Sequence, residues 1–495
     1  MMMQRLHRTI RRTGFIFGCL LALGWSSTLT AQGEFVRGDA NTDDTINIAD
    51  GIASLEYLFA GNVQYCADAM DIDDDGAVNI ADPIALFAYL FSAGPPPAAP
   101  QVCGPDPTPD NLDCDSYAPC NAGDAIAGLN AQELASFLNG RELMLKSFTP
   151  EEGLGPLFNA TSCEACHSHP TVGGSAPSYR NFFLVAVGNP PQQTDVPGLP
   201  SLVMPSYNLD GVERPSIPTS GQVGGQLVTA AQRNAPPFLG VGLFEFVSNS
   251  TILGLSDPND MDGDGISGRF NADGQGNIGR FGYKLQANFI EGFIRGASLN
   301  QMGITTDPVL GSDGIVNYKF QVGASFDDPT TDMDGVPDPE ISVQDFGDIV
   351  TFNRFVAPPP KVPFSPEALQ GEVLFETLNC TSCHLPTIPS SVGDLEAYTD
   401  LLLHDMGPGL ADGISMGGSP QFTTLLPDFN STASEFRTQP LWGVRLHGPW
   451  LHDGSADTLH DAILFHGGEA QASRDAYNNL TPAEQALVIE FLEAL

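Results

Sequence analysis

Basic residues are scarce in this 495-residue chain. Only 20 Lys and Arg stand against 60 Asp and Glu, which gives a formal net charge of −40 at pH 7. A surface with this charge repels phosphate backbones and anionic lipids, so nucleic acid and anionic membranes are excluded as partners. Long apolar runs are also missing beyond the N-terminus, so we expect no transmembrane segment in the mature chain.

The N-terminus has the pattern of a secretory signal. A basic stretch from Arg5 to Arg12 precedes a short apolar run from Gly14 to Gly24, and Ala31 is a suitable cleavage position. This order is typical of a signal peptide that is removed, here over residues 1–31. The apolar run is too short to span a bilayer comfortably. We therefore expect a periplasmic or extracellular protein.

An internal repeat of Asp-rich loops covers residues 35–93. Oxygen-bearing side chains recur at loop positions 1, 3, 5, 9 and 12, and an apolar stretch follows each loop at the same offset. This spacing can wrap one calcium ion, and Gly76 permits a sharp turn in the second loop. The predicted ligands are Asp39, Asn41, Asp43, Asn47 and Asp50 in the first loop and Asp71, Asp73, Asp75, Asn79 and Asp82 in the second. The pair resembles a dockerin-type, EF-hand-like module, and two ordinary surface turns are the alternative.

A Pro-rich segment, residues 94–124, follows the repeat and is predicted to be a stiff, extended linker. Four cysteines lie in or near it, namely Cys66, Cys103, Cys114 and Cys120. In an oxidising compartment they are expected to form disulfides, although the spacing does not reveal which pairs form. A further Asp-rich turn at residues 260–265 is either another calcium loop or a surface turn.

Two C-x-x-C-H segments carry the chemistry of the chain. They are Cys163–His167 and Cys380–His384, with Cys166 and Cys383 as the second thiols. In such a segment both thiols add to the vinyl groups of a haem, and the histidine becomes the proximal iron ligand. Two copies in an exported chain therefore predict two covalently bound haem c groups, with His167 and His384 on the irons. A redox dithiol or a zinc site is the alternative for each segment.

The second iron ligands are harder to assign. Each haem segment is followed by a related stretch, at residues 233–241 and 437–444, which predicts two related cytochrome domains in tandem. Matching the two halves assigns Met302 and His466 to the same role, the distal ligand of their own haem. His404 and Met406 are the leading substitutes.

Several stretches resemble the di-haem oxidoreductase family of peroxidase-like c-type cytochromes. They are residues 153–167, 238–245, 262–268, 402–408 and 446–454. The resemblance spans about residues 125–495 and extends more distantly to bacterial di-haem cytochrome c peroxidases. It implies reduction of hydrogen peroxide or a similar small oxidant, with electrons relayed between two haems from a donor protein such as a small cytochrome or a cupredoxin. Peroxide cleavage needs a distal acid, and Glu245 is the candidate, with a helix-capping or surface carboxylate as the alternative.

Two features depart from the peroxidases. His466 stands where their C-terminal haem has methionine, and an imidazole in place of a thioether generally lowers the reduction potential. Trp442 and Trp450, the two tryptophans of the mature chain, both lie in the C-terminal half, whereas the bridging tryptophan of the peroxidases lies in the N-terminal half. A non-enzymatic electron-transfer cytochrome, periplasmic or tethered to a surface, is therefore the alternative function.

The expected fold is mainly α. Two tandem cytochrome-c-like haem domains with long loops follow a small EF-hand/dockerin-like helical module. The predicted parts are the signal peptide (1–31), the calcium-loop repeat (35–93), the linker (94–124), the first haem domain (125–315), a connecting region (316–362) and the second haem domain (363–495).

Overall fold

A computed structural model describes most of the chain after the predicted signal peptide. The described residues are 35–41, 46–60, 66–101, 103–108, 122–189, 193–195, 201–214, 221–273, 276–306, 334–337, 339–416 and 431–495, together with 110, 112, 114, 117 and 120. The signal peptide at residues 1–31 and the predicted calcium ligand Asp43 lie outside this part. Within it, no helix is both long and apolar enough to cross a membrane.

Helices form most of the regular structure. They are α1 (Ile48–Ala60), α2 (Ala67–Met70), α3 (Ala81–Ser92), α4 (Ala131–Leu145), α5 (Asn249–Leu255), α6 (Ile290–Ala297), α7 (Val343–Phe355), α8 (Pro366–Thr377), α9 (Leu459–Phe465), α10 (Gln471–Asn478) and α11 (Pro482–Glu493). Side-chain caps begin several of them. Asn130 and Thr481, for example, accept hydrogen bonds from the first-turn amides of α4 and α11 and complete capping boxes with Glu133 and Glu484.

The N-terminal module contains two similar loop-and-helix units, and equivalent hydrogen bonds occur in both. The carboxylates of Asp50 and Asp82 accept the backbone N–H of Asn47 and Asn79, at 2.8 and 2.7 Å. Helices α1 and α3 pack together where Gly51 lies so close to a ring of α3 that a Cβ could not fit. The predicted internal repeat is therefore structural as well as sequential. Its assignment as a dockerin-like module remains a prediction.

The Pro-rich segment 94–124, which its composition predicts to be a stiff, extended linker, packs against the N-terminal module. Phe35 and Gly104 form a β-bridge, and the backbone N–H of Arg37 donates to the carbonyl oxygen of Pro100 at 2.8 Å. Two disulfides fasten the segment further, Cys66–Cys114 and Cys103–Cys120. Proline content describes the intrinsic stiffness of a chain, whereas backbone pairing and cross-links decide whether it packs on a neighbour. The segment belongs to the N-terminal module.

Helices α4 and α7 form the centre of the N-terminal half. The rings of Phe137 and Phe352 lie 5.0 Å apart, and Gly140 of α4 allows the backbone of α7 to approach closely. Helix α7 falls within the predicted connecting region, residues 316–362. Because its apolar face is buried against α4, the core of the N-terminal half continues past residue 315, where the first domain is predicted to end.

A small antiparallel sheet supplements the predicted helices. It contains β2 (Phe182–Val187), β3 (Thr194–Asp195), β4 (Val203–Met204), β6 (Gln222–Val223) and β7 (Gln226–Arg233), in the order β3-β2-β7-β6 with β4 on β2. Two further pairs join β1 (Leu157–Phe158) to β5 (Tyr207–Asn208) and β8 (Leu403–Asp405) to β9 (Glu435–Arg437). The apolar run of β2 is typical of a buried strand. This sheet forms one wall of the site described below.

Helices α8 and α11 form the core of the C-terminal half. Gly371 of α8 lies against the backbone of α11, where a Cβ would sit 1.9 Å from the carbonyl oxygen of Leu487. The two halves also meet directly. The rings of Phe244 and Trp442 stack with centroids 5.3 Å apart, and the N–H of Arg437 donates to the carbonyl oxygen of Tyr283 at 2.8 Å. Both halves therefore contribute to one interior.

Candidate functional site: two adjoining cavities

The first C-x-x-C-H segment lines a cavity in the N-terminal half. This cavity has a volume of about 190 Å³, and Cys163, Cys166 and His167 lie on its wall. Met302 lines the same cavity and is only 3% exposed. It ends a π-helical turn, Ser298–Met302, that continues α6, and such turns often accompany functional sites. The fold therefore brings together the predicted proximal and distal ligands of the first iron.

The second C-x-x-C-H segment lines a cavity of about 250 Å³ in the C-terminal half. His384 lies on its wall with both thiols of its segment, and His466 reaches it from the end of α9. Met406 and His404, the two substitutes for a distal ligand, also line it. Four candidates for iron coordination therefore share this cavity, and their hydrogen bonds distinguish them.

Three of the histidines keep a free lone pair. Nδ1 of His167 lies 3.2 Å from the carbonyl oxygen of Gly174, and Nδ1 of His384 lies 3.0 Å from that of Tyr398. Nδ1 of His466 lies 2.7 Å from the carbonyl oxygen of residue 462. Because a carbonyl oxygen only accepts, each Nδ1 carries the hydrogen and each Nε2 keeps its lone pair. This is the tautomer that a histidine needs to bind a metal through Nε2.

Burial keeps these rings neutral. It lowers the pKa of His167 and of His384 to about 4, and it also lowers the pKa of His466. A neutral imidazole binds iron, whereas an imidazolium has no lone pair to offer. All three rings are therefore in the metal-binding form at neutral pH.

His404 differs from these three rings in both its contacts and its charge. Its Nε2 lies 2.8 Å from Oδ2 of Asp400, and its Nδ1 lies 2.8 Å from Oε2 of Glu469. Burial favours the neutral ring, but the hydrogen bonds to Asp400, Cys383 and Glu469 outweigh it and raise the pKa of His404 well above 6.5. Both nitrogens are occupied and the ring is cationic. This geometry argues against His404 as an iron ligand.

The thiols of the two segments are poor candidates for redox dithiols. Burial raises the pKa of Cys163 and of Cys380 to about 12, and it raises the pKa of Cys166 and of Cys383 as well. None of the four is in a disulfide. Disulfide exchange proceeds through the thiolate, which requires a lowered thiol pKa. The environment therefore disfavours the dithiol alternative.

The C-terminal cavity also carries buried donors that suit an anionic group. Within the described chain, Nε of Arg437 and Nε2 of Gln439 are buried and have no hydrogen-bond partner, and both residues line this cavity. A carboxylate would accept both hydrogen bonds, and a haem carries two propionate carboxylates. Apolar walls, imidazole lone pairs, adjacent thiols and these donors together fit a covalently attached haem.

The two cavities share a wall. Five residues line both, namely Asn234, Pro237, Val241, Tyr283 and Arg437. Tyr283 is the aromatic member of this wall, and burial raises the pKa of its phenol, which stays protonated. Trp442, by contrast, lines only the C-terminal cavity. Because Trp442 and Trp450 both lie in the C-terminal half, the sequence put a tryptophan relay in doubt. It did not reveal Tyr283, since a single tyrosine carries no motif.

Glu245 does not occupy the position that its predicted catalytic role requires. It lies outside the walls of both cavities, and its Oε2 accepts a hydrogen bond from Nε of Arg354 at 2.6 Å. Its Oε1 accepts the N–H of Ile290 at 2.8 Å and so caps α6. This geometry favours the helix-capping alternative. No Asp or Glu of the described chain lines the N-terminal cavity.

An amide side chain reaches the N-terminal cavity instead. Oε1 of Gln301 accepts a hydrogen bond from Nδ2 of Asn159 at 2.9 Å, and Gln301 lines the cavity next to Met302. Because this bond fixes the amide oxygen as the acceptor, the NH₂ group is left as the donor. Sequence reasoning overlooked Gln301, since an isolated glutamine has no recognisable spacing.

The predicted calcium ligands are placed close together in the second loop. One carboxylate oxygen from each of Asp71, Asp73 and Asp82 lies within 4.8 Å of the others, while Asp75 and Asn79 accept backbone N–H groups inside the loop. In the first loop, Asp50 accepts the N–H of Asn41 at 3.2 Å and that of Asn47, and Asp39 accepts a hydrogen bond from the Tyr117 hydroxyl. The turn at residues 260–264 also brings three carboxylates together, but on the surface. Calcium binding by the loops remains a prediction.

Residues 218–495 match the family described as "Di-haem oxidoreductase, putative peroxidase". The chain belongs to this family. The match contains the whole second C-x-x-C-H segment, Met302 and all five residues of the shared wall, and it begins after the first segment. No curated protein matches the chain in sequence.

Two solved structures are similar to parts of the chain. One is hydrazine synthase of Kuenenia stuttgartiensis, pressurised with xenon, at 21% identity and a TM-score of 0.23; the match covers 32% of this chain and 57% of that one. The other is a MauG-like protein associated with microbial copper homeostasis, at 18% identity and a TM-score of 0.26; the match covers 50% of this chain and 89% of that one. The chain thus matches little more than half the length of the hydrazine synthase chain.

Proposed function

We propose that this di-haem oxidoreductase is an exported c-type cytochrome that reduces hydrogen peroxide or a similar small oxidant. The observation that carries the proposal is the pair of apolar cavities, each lined by one C-x-x-C-H segment and joined by a common wall. Membership of a peroxidase-like di-haem family supports it. Two disulfides and two segments suited to covalent haem attachment fit an exported protein.

Covalently bound haem at each segment would supply an iron that exchanges single electrons and that binds a small oxidant where a coordination position is free. Cys163, Cys166 and His167 would hold the first haem, and Cys380, Cys383 and His384 the second. Arg437 lies where it can neutralise propionates, and the apolar walls exclude bulk water from both sites.

We assign the oxidant to the N-terminal cavity. In the C-terminal cavity, His384 and His466 both present a neutral ring with Nε2 free, so both could bind an iron held there. In the N-terminal cavity the second candidate besides His167 is the thioether of Met302, which would be a weaker ligand and would leave an iron there more accessible to an oxidant. The NH₂ group of Gln301 can donate a hydrogen bond to a peroxide oxygen there.

Reduction of one hydrogen peroxide takes two electrons and two protons and gives two water molecules. The electrons would come from a donor protein, for which a small cytochrome or a cupredoxin has suitable chemistry, and would cross the shared wall beside Tyr283. The calcium-loop module would stand apart from this chemistry. Calcium there would neutralise part of the acidic charge and hold the two loops in place.

The optical spectrum of the half-reduced protein tests the proposal. We expect a high-spin band in the calcium-loaded, half-reduced protein and prompt reoxidation after one equivalent of hydrogen peroxide. Two low-spin haems that ignore peroxide would overturn it and would leave the alternative, a non-enzymatic electron-transfer cytochrome.

Two substitutions of one residue test the assignment of the cavities. Met302→His places a strong ligand in the N-terminal cavity and should abolish the reaction with peroxide. Met302→Leu removes the sulfur at nearly constant volume and should keep the reaction or speed it. Loss of activity in both variants, or in neither, would contradict the assignment.

A further inference from the structure

Three carboxylates converge in the N-terminal module outside both predicted calcium loops. They belong to Asp68 of α2, which precedes the second loop, and to Asp106 and Asp110 of the Pro-rich segment. One oxygen from each lies within 4.8 Å of the others. Two oxygens bound to one calcium ion at about 2.4 Å cannot be farther apart than this, so the spacing meets the geometric condition for a shared ion.

The second observation concerns hydrogen bonding. The side chain of Asp106 is fully buried, and within the described chain its Oδ2 has no hydrogen-bond partner. Oδ2 of Asp110 is likewise buried and without a partner there, although Oδ1 accepts the N–H of Leu112 at 2.7 Å. A buried carboxylate oxygen without a donor is costly unless a cation completes its coordination.

The charge balance points the same way. The cationic side chain beside these carboxylates is that of Arg37. Its guanidinium forms ion pairs with Oδ1 of Asp106 at 2.7 Å and with Oδ1 of Asp74 at 2.9 Å. Three carboxylates with one shared guanidinium leave an excess of negative charge in a buried place.

We propose that Asp68, Asp106 and Asp110 form a third calcium site, distinct from the two loop sites. All three ligands are carboxylate oxygens, the donors that calcium prefers, and no sulfur or imidazole ligand joins the group. The site joins α2 to the Pro-rich segment, and the disulfide Cys66–Cys114 spans the same two elements. Calcium binding there would fix the segment against the module. The proposal does not depend on the haem chemistry.

Calcium binding to the full chain, with its disulfides and haems intact, tests the site. We would measure bound Ca²⁺ by equilibrium dialysis for the wild type and for the Asp106→Asn/Asp110→Asn variant. The variant should bind one equivalent fewer. The control is Asp394→Asn, an exposed aspartate outside every Asp-rich loop of the described chain, which leaves the site intact and should not remove that equivalent.

An unchanged calcium count and affinity in the double variant would overturn the proposal. If the variant fails to fold, a crystal structure of the wild-type protein tests the proposal instead. Crystals grown with Ca²⁺ should give an anomalous peak among Asp68, Asp106 and Asp110, and peaks confined to other parts of the chain would also overturn it.

Discussion

Replacing His404 with glutamine should destabilise the C-terminal half by about 3–5 kcal/mol at pH 7, the range found when one partner of a buried ion pair is removed. The His404 side chain is 4% exposed, and those of Asp400 and Glu469 are 6% and 13% exposed. Solvent therefore screens the three charges weakly. Without the imidazolium, two carboxylates remain buried with only one neutral amide between them.

The loss of stability caused by the His404→Gln substitution should become smaller at both low and high pH. The pKa of His404 is raised in the folded state, so its contribution is complete below pH 6.5 and is lost as the pH rises through the raised value. The pKa of Glu469 is lowered by His404 against the opposing effect of burial, so its contribution is present above pH 4.5 and is lost as the pH falls. The difference between wild type and variant should therefore be largest between about pH 4.5 and the raised pKa of His404.

Urea denaturation followed by tryptophan fluorescence measures this difference. Trp442 and Trp450 both lie in the C-terminal half, and nearby haem should quench them until that half unfolds. His460→Gln is the control, because Nδ1 of His460 contacts the Tyr477 hydroxyl at 2.8 Å. It should cost about 1 kcal/mol, the value of an ordinary hydrogen bond. If the losses of unfolding free energy in the two variants differ by less than about 1 kcal/mol at pH 7, the ion pairs of a cationic His404 with Asp400 and Glu469 are refuted.

Two further predictions concern the N-terminal half and the shared wall. Glu245→Gln should lower the stability of the protein by about 1–3 kcal/mol, because Arg354 loses its charged partner, while peroxide turnover stays unchanged. A variant with normal stability and no turnover would restore the catalytic role of Glu245. Tyr283→Leu should slow electron equilibration between the haems several-fold in stopped-flow absorbance, whereas Tyr283→Phe, which keeps the ring, should not. Equal rates in both variants would show that the ring is not part of the path.

The features that the sequence predicts well are local in the chain. A C-x-x-C-H segment places both thiols and its histidine within five residues, and each predicted calcium loop places its predicted ligands within twelve. Short-range geometry follows from such spacing because few backbone dihedrals separate the groups. The same logic explains why the repeat around Asp50 and Asp82 could be recognised without a fold.

Other features depend on contacts between distant segments, and only the tertiary structure decides them. The contact of His404 with Glu469 joins residues that are 65 positions apart in the chain. The contact of Asp106 with Arg37 joins residues that are 69 positions apart. Composition predicted a stiff, extended linker where cross-links and backbone pairing hold the chain on the module. Family resemblance suggested an acid where Glu245 caps a helix. Chain spacing carries no information on such pairs, because their distance is set by the packing of whole elements. Local ligand spacing was therefore readable from the sequence, whereas the charge state of His404 and the wall between the two cavities were decided by the fold.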